Sequence, residues 1–171
     1  MSTDPPSGSI AKEDGDSYAL FSARMAGTNI NAQTLLATDF LNHFSEVVML
    51  IEMIPDMPDC FEEVLDWQPK SYLDHFTDSH FPDRDLAIAA YEAVPDRYKI
   101  PFEDIVTQMN TLVVVSVERI GACLEQGGEG LRDLCQEASR NLQKMMDIAN
   151  AIINGSSKTF AQGEIDELMG F

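Results

Sequence analysis

Positive charge is scarce in this chain. Lys and Arg number 11 against 29 Asp and Glu, a formal net charge of −18. A nucleic-acid binder needs Lys and Arg to neutralise phosphates, so no nucleic-acid partner is expected. Cysteine is also sparse. Cys60, Cys123 and Cys135 form neither a CxxC pair nor a disulfide framework, which predicts reduced thiols in a cytoplasmic protein. No run of about 18 apolar residues occurs, so no membrane-spanning helix is expected. The first residues lack the basic-then-apolar pattern of a secretory signal. No Gly-rich phosphate loop and no nucleophile elbow appear. Clean alternation of apolar and polar residues is missing as well, which leaves helices as the expected structure.

The residues that are present support an all-α fold: a helical bundle with long antiparallel helices, a disordered N-terminal tail and a short C-terminal docking helix. Residues 1–28 are rich in Ser, Gly, Asp and Pro and read as a disordered acidic tail. Residues 29–154 read as the bundle. Leu36, Phe40, Phe44, Val47, Ile51 and Ile54 recur in steps of three and four, predicting a first helix that Pro55 and Pro58 end. Short helices are expected over 59–67 and 83–91, with an irregular connection over 68–82 between them. A long helix is expected to start near Pro101, because proline suits a first helical turn. It buries Phe102, Ile105, Val106, Met109, Leu112, Val113, Val117, Ile120 and Leu124, and Gly127-Gly128 ends it. The last bundle helix spans 130–153 on a stripe of Leu131, Leu134, Ala138, Leu142, Met145, Ala149 and Ile152, with Gly155 as the residue after its C-cap. Met49, Met53, Met57, Met145 and Met146 read as core filler.

A polar linker, 155–159, precedes the segment 160–171. Thr159 and Gln162 have capping-box spacing. Glu164, Asp166 and Glu167 fall where negative charge suits a helix N-terminus. Ile165, Leu168 and Met169 stand at i, i+3 and i+4 with Phe171 at the tip, which predicts a small apolar edge for a partner's groove. A helix this short is marginal alone and is expected to fold on binding.

The order Ala161-Gln162-Gly163-Glu164-Ile165-Asp166-Glu167-Leu168-Met169 resembles the acidic-aliphatic peptide by which the flagellar switch protein FliM captures the receiver CheY. It is similar also to the extreme C-terminus of the CheZ phosphatase family, commonly ending Leu-Gly-Phe, where this chain ends Met169-Gly170-Phe171. Ala161 and Met169 replace that pattern's Ser and Leu. CheZ proteins further carry an Asp-x-x-x-Gln motif on a long helix, and Phe102-Glu103-Asp104-Ile105-Val106-Thr107-Gln108 resembles it at Phe102, Asp104, Ile105 and Gln108. Val106-Thr107 stands where the family has Thr-Gly. The resemblance implies an aspartyl-phosphate phosphatase acting on a CheY-type receiver in chemotaxis or motility signalling. Gln108 would position water and Asp104 would meet a receiver lysine. Gln162, Glu164, Ile165, Asp166, Leu168, Met169 and Phe171 would bind the receiver. The protein would need no cofactor of its own, Mg2+ being held by the receiver, and would form a homodimer.

Two alternatives stay open. The same peptide on an inert bundle would make a receiver-binding adaptor or phosphate sink. His43, on the first helix, would be the acceptor in a histidine phosphotransfer bundle, although Phe44-Ser45-Glu46 follow it rather than basic and glycine residues. His75 and His80 lie in an acidic stretch and read as surface residues rather than a zinc site.

Overall fold

The structure, a computed structural model, describes residues 9–156, with side chains from Gly15 onward. Among them it forms seven α-helices and no strand; Ile30 and Ala37 make an isolated antiparallel bridge. The helices are α1 (Ser9–Arg24), α2 (Asn42–Met53), α3 (Cys60–Asp66), α4 (Tyr72–Asp78), α5 (Arg84–Ala90), α6 (Asp96–Glu125) and α7 (Leu131–Ile153). Short 3-10 turns at Thr38–Leu41 and Tyr91–Ala93 lead into α2 and out of α5.

α6 and α7 form the most extensive helix pair, and α2 packs on α7. The turn between α6 and α7 requires left-handed backbone at Gly127, Gly128 and Gly130, with φ of 100°, 79° and 79°. Glycine adopts that region without steric cost, which is why the chain reverses here. On α7, Leu131, Cys135, Ala138, Leu142, Met145, Ala149 and Ile152 are buried, the stripe that the spacing predicts except that Cys135 is added and Leu134 is only half-buried. Gly155 follows α7 with φ 102°, closing it in the expected way.

An aromatic cluster sits under the first turns of α6. Phe40 meets Phe44, Tyr72 and Phe102 at ring-centroid distances of 5.8, 5.5 and 5.7 Å. Tyr72 stacks on Tyr91 at 4.8 Å and its hydroxyl accepts a hydrogen bond from the Ala37 N–H at 3.0 Å. Offset and edge-on aromatic contacts add about 0.5–1.5 kcal/mol each beyond the area they bury.

Four features differ from the sequence-based expectation. Residues 9–24, assigned to the disordered tail, form α1. Its Tyr18 hydroxyl donates to the Gln33 carbonyl at 2.8 Å, its Ser22 hydroxyl donates to the Ala32 carbonyl at 2.7 Å, and Met25 just beyond is buried. Composition averages over a segment, whereas docking needs only Tyr18, Phe21 and Met25 on one side. The first bundle helix starts later than its apolar stripe. The Asn31 side chain accepts from the N–H groups of Gln33 and Thr34, and Leu35 has φ 63°, so residues 31–37 form a loop, of which Thr34, Leu35, Leu36 and Ala37 are nonetheless buried. The connection over 68–82 contains α4, capped by the Ser71 hydroxyl, which accepts from the Asp74 N–H at 3.1 Å. Finally, α6 begins at Asp96 and runs through Pro101. Buried Tyr98, whose hydroxyl accepts from the Gln33 side-chain amide at 2.6 Å, anchors this added turn.

Candidate functional site

The extra turn changes the setting of Asp104 and Gln108. They lie on a 30-residue helix, Asp104 eight residues and Gln108 twelve residues past Asp96, rather than in a first turn. A first-turn carboxylate is accounted for by the helix dipole, whose influence fades beyond that turn. Asp104 stands too far along for that explanation.

The periodicity of α6 decides which way the pair points. Phe102, Ile105, Val106, Met109, Leu112 and Val113 are buried. Positions 103, 104, 107 and 111 are therefore on the solvent side, with Gln108 half-buried at its edge. Asp104 and Gln108, one turn apart, share a face. Their polar neighbours are occupied. Glu103 accepts from the Tyr91 hydroxyl at 2.6 Å, the Thr107 hydroxyl donates to the Glu103 carbonyl at 3.0 Å, and the Thr111 hydroxyl donates to the Thr107 carbonyl at 3.0 Å. Asp104 and Gln108 make no hydrogen bond or ion pair among the described residues. An accessible carboxylate and carboxamide, both uncommitted and aligned, can receive an outside group: the carboxylate accepts, the carboxamide accepts and donates.

A cleft of about 390 Å³ opens beside this face, lined by Lys70, Ser71, Tyr72, Tyr91, Glu103, Thr107 and Asn110 among others. Asp104 and Gln108 are not part of its lining. Asn110 Oδ1 is buried without a hydrogen-bond partner.

His43 is placed where it cannot serve as an exposed acceptor. It is 7% exposed, stacks on Trp67 at 4.4 Å and shares a 2.8 Å hydrogen bond with the Gln68 carbonyl. Burial pushes its pKa down to about 4 against the Gln68 carbonyl, which favours the charged ring; His75 and Lys70 lower it further. Trp67 in turn donates to the His43 carbonyl at 2.9 Å, so the imidazole is part of the packing between α2 and α3. Nothing in the spacing of His43 signals this stack, because Trp67 is 24 residues away.

His75 is half-buried in the same aromatic region and its pKa is lowered by burial, so it is not the surface residue that the sequence suggests; His80 is exposed. Cys60 and Cys135 are buried free thiols and Cys123 is half-buried. Burial, with Cys123 nearby, raises the Cys135 thiol to about 11. Among the described residues no group of three His, Cys, Asp or Glu gathers to hold a metal ion, and no helix is long and apolar enough to cross a membrane. Gln162, Glu164, Ile165, Asp166, Leu168, Met169 and Phe171 lie outside the described residues. No protein-family model, no curated protein and no solved structure matches this chain.

Proposed function

We propose that the protein is a divergent CheZ-like phosphatase that binds a CheY-type receiver through residues 160–171 and accelerates loss of its aspartyl phosphate in the cytoplasm. The observation that carries this reading is the uncommitted pair Asp104 and Gln108, one turn apart on the accessible face of a long helix. The C-terminal peptide in the same chain supports it from the sequence side. In this reading α6 and α7 are the long antiparallel helices of the scaffold, 160–171 is the docking helix, and two copies associate.

The chemistry needs little from the phosphatase itself. Water attacks the phosphorus in line, the bond to the receiver's carboxylate oxygen breaks, and inorganic phosphate leaves while the carboxylate is regenerated. Gln108 orients that water by accepting one of its protons in a hydrogen bond and donating to the attacked phosphoryl group. Asp104 meets a receiver lysine and fixes how far the helix inserts. The receiver supplies Mg2+, which neutralises phosphoryl charge. The rival reading, a tether without catalysis, is favoured by Thr107, because the family has glycine immediately before the glutamine. Its hydroxyl is turned back onto the Glu103 carbonyl, which leaves mainly a methyl group for a partner to clear.

Binding and chemistry separate in one experiment. The full chain and a chain ending at residue 159 are titrated against a phosphorylated CheY-type receiver while affinity and phosphate release are followed together. The expected outcome is weak binding and little acceleration by the truncated chain at low concentration, with activity recovered as its concentration rises. Equal affinity of the two chains would overturn the docking role of 160–171.

A further inference from the structure

The methionines of α2 and of the turn after it do not fill the core. Met49, Met53 and Met57 are 57%, 38% and 54% exposed, while Phe44, Val47, Ile51 and Ile54 of the same stretch are buried. Met49 and Met53 stand one turn apart on the solvent face of α2, and Met57 follows in the turn beyond it, where its N–H bonds the Met53 carbonyl at 2.9 Å. An exposed ridge of large apolar side chains costs solubility, and a run of them marks a contact surface.

The charges around this ridge identify its occupant. Glu46 stands one turn before Leu50, on the side where His43 stacks on Trp67 at the end of α3. Asp59, Glu62 and Glu63 at the start of α3 are exposed as well, and none of these four acids has an ion-pair partner among the described residues. On the α7 side, Glu52 accepts from Ser139 and Gln143, and Asp56 pairs with Arg132 at 2.6 Å. The ridge therefore has one flank of free carboxylates and one flank where Asp56 is paired and Glu52 is held by hydrogen bonds. A second copy of this chain would bring Glu46 and its neighbours against like charge, and the acidic segment 160–171 carries the same sign. Anionic lipid and nucleic acid are repelled for the same reason.

We infer that the Met49–Met53–Met57 ridge docks a basic amphipathic helix of a partner protein, its apolar edge on the methionines and its Lys or Arg residues toward Glu46 and the start of α3. Methionine suits this task because its flexible, polarisable side chain repacks against differing apolar partners. The free carboxylates supply long-range attraction for a cationic helix, within a field set by the net charge of −18.

The test uses the full chain with methyl-labelled methionine and two synthetic helices of identical Leu spacing, one with Lys and one with Glu at the polar positions. The Lys helix is expected to shift the methyl signals of Met49, Met53 and Met57 and leave those of buried Met109 and Met145 in place. The Glu helix is expected not to bind. Replacing all three residues (M49S, M53S, M57S) is expected to weaken the Lys helix at least tenfold with unchanged thermal unfolding, since these side chains are exposed. The inference is overturned if the Lys helix fails to bind, if both helices bind alike, if the shifts centre on other methionines, or if the triple variant binds as tightly as the parent.

Discussion

Acid acts on this fold through His43. The folded state holds the ring neutral, with its pKa lowered to about 4, while the unfolded chain protonates it near the ordinary value of 6.5. The unfolded state therefore binds more protons between those values, and stability falls as pH drops through that window. A shift of this size corresponds to about 2 kcal/mol between pH 7 and pH 4.5. His75, also lowered by burial, acts in the same direction. Chemical denaturation at the two pH values checks this. The His43→Phe variant is expected to lose most of the pH dependence, and an unchanged dependence would assign it to other groups. Individual residues were legible in the sequence where periodicity speaks for them. Phe102, Ile105, Met109 and Leu142 are buried as their spacing requires, and Asp104 and Gln108 share an accessible face as i, i+4 residues must. The exposure of Met49 and Met53 was not legible, because a methionine is at home in a core or on a binding surface, and only the neighbouring helices decide between them.

At the scale of elements, the long helices announced themselves, and of the short ones α3 and α5 fall where helices were expected over 59–67 and 83–91 while α4 does not. α7 could be read because its stripe runs unbroken between two glycine signals at Gly130 and Gly155. α4 could not, because seven residues give too few turns for periodicity, and its cap at Ser71 is a single local contact. Pro101 misled about the start of α6, since a proline in the first two turns forfeits only one backbone hydrogen bond and packing at Tyr98 outweighs it. α1 is the element most lightly held, by Tyr18 and Ser22 on the loop at 32–33. Replacing both (Tyr18→Phe, Ser22→Ala) is expected to speed amide hydrogen exchange over residues 15–24 at least tenfold while exchange in α6 and α7 stays unchanged. A uniform acceleration would show that α1 unfolds only with the whole. The turn from α6 to α7 makes a second prediction. Gly128→Ala forces a side chain into left-handed backbone with no neighbour within 4 Å to clash, so it is expected to cost about 1–2 kcal/mol through conformation alone. Denaturant midpoints measure this, and a neutral result would place the turn's specificity in packing instead.

For the whole molecule, charge is the dominant long-range term. Three ion pairs occur among the described residues, Lys70–Asp78, Arg84–Asp85 and Arg132–Asp56, all with at least one exposed partner, where such pairs contribute little. Repulsion among the acids of a chain with net charge −18 outweighs them. The thermal midpoint is expected to rise as NaCl increases from about 0.01 to 0.3 M, because the screening length contracts from roughly 30 Å to below 10 Å. A falling midpoint would mean that attractive pairs dominate. The same charge that loosens the fold draws cationic partners toward it, and the site on α6 adds a carboxylate and a carboxamide, one turn apart, that make no hydrogen bond or ion pair among the described residues. The central claim is tested most directly by the rate of phosphate loss from a phosphorylated CheY-type receiver with the intact protein and with Gln108→Ala. The expected result is marked acceleration by the intact protein and a fall on the order of 100-fold in the variant, with receiver binding retained; the contradicting result is no acceleration by the intact protein, or a Gln108→Ala variant as fast as its parent.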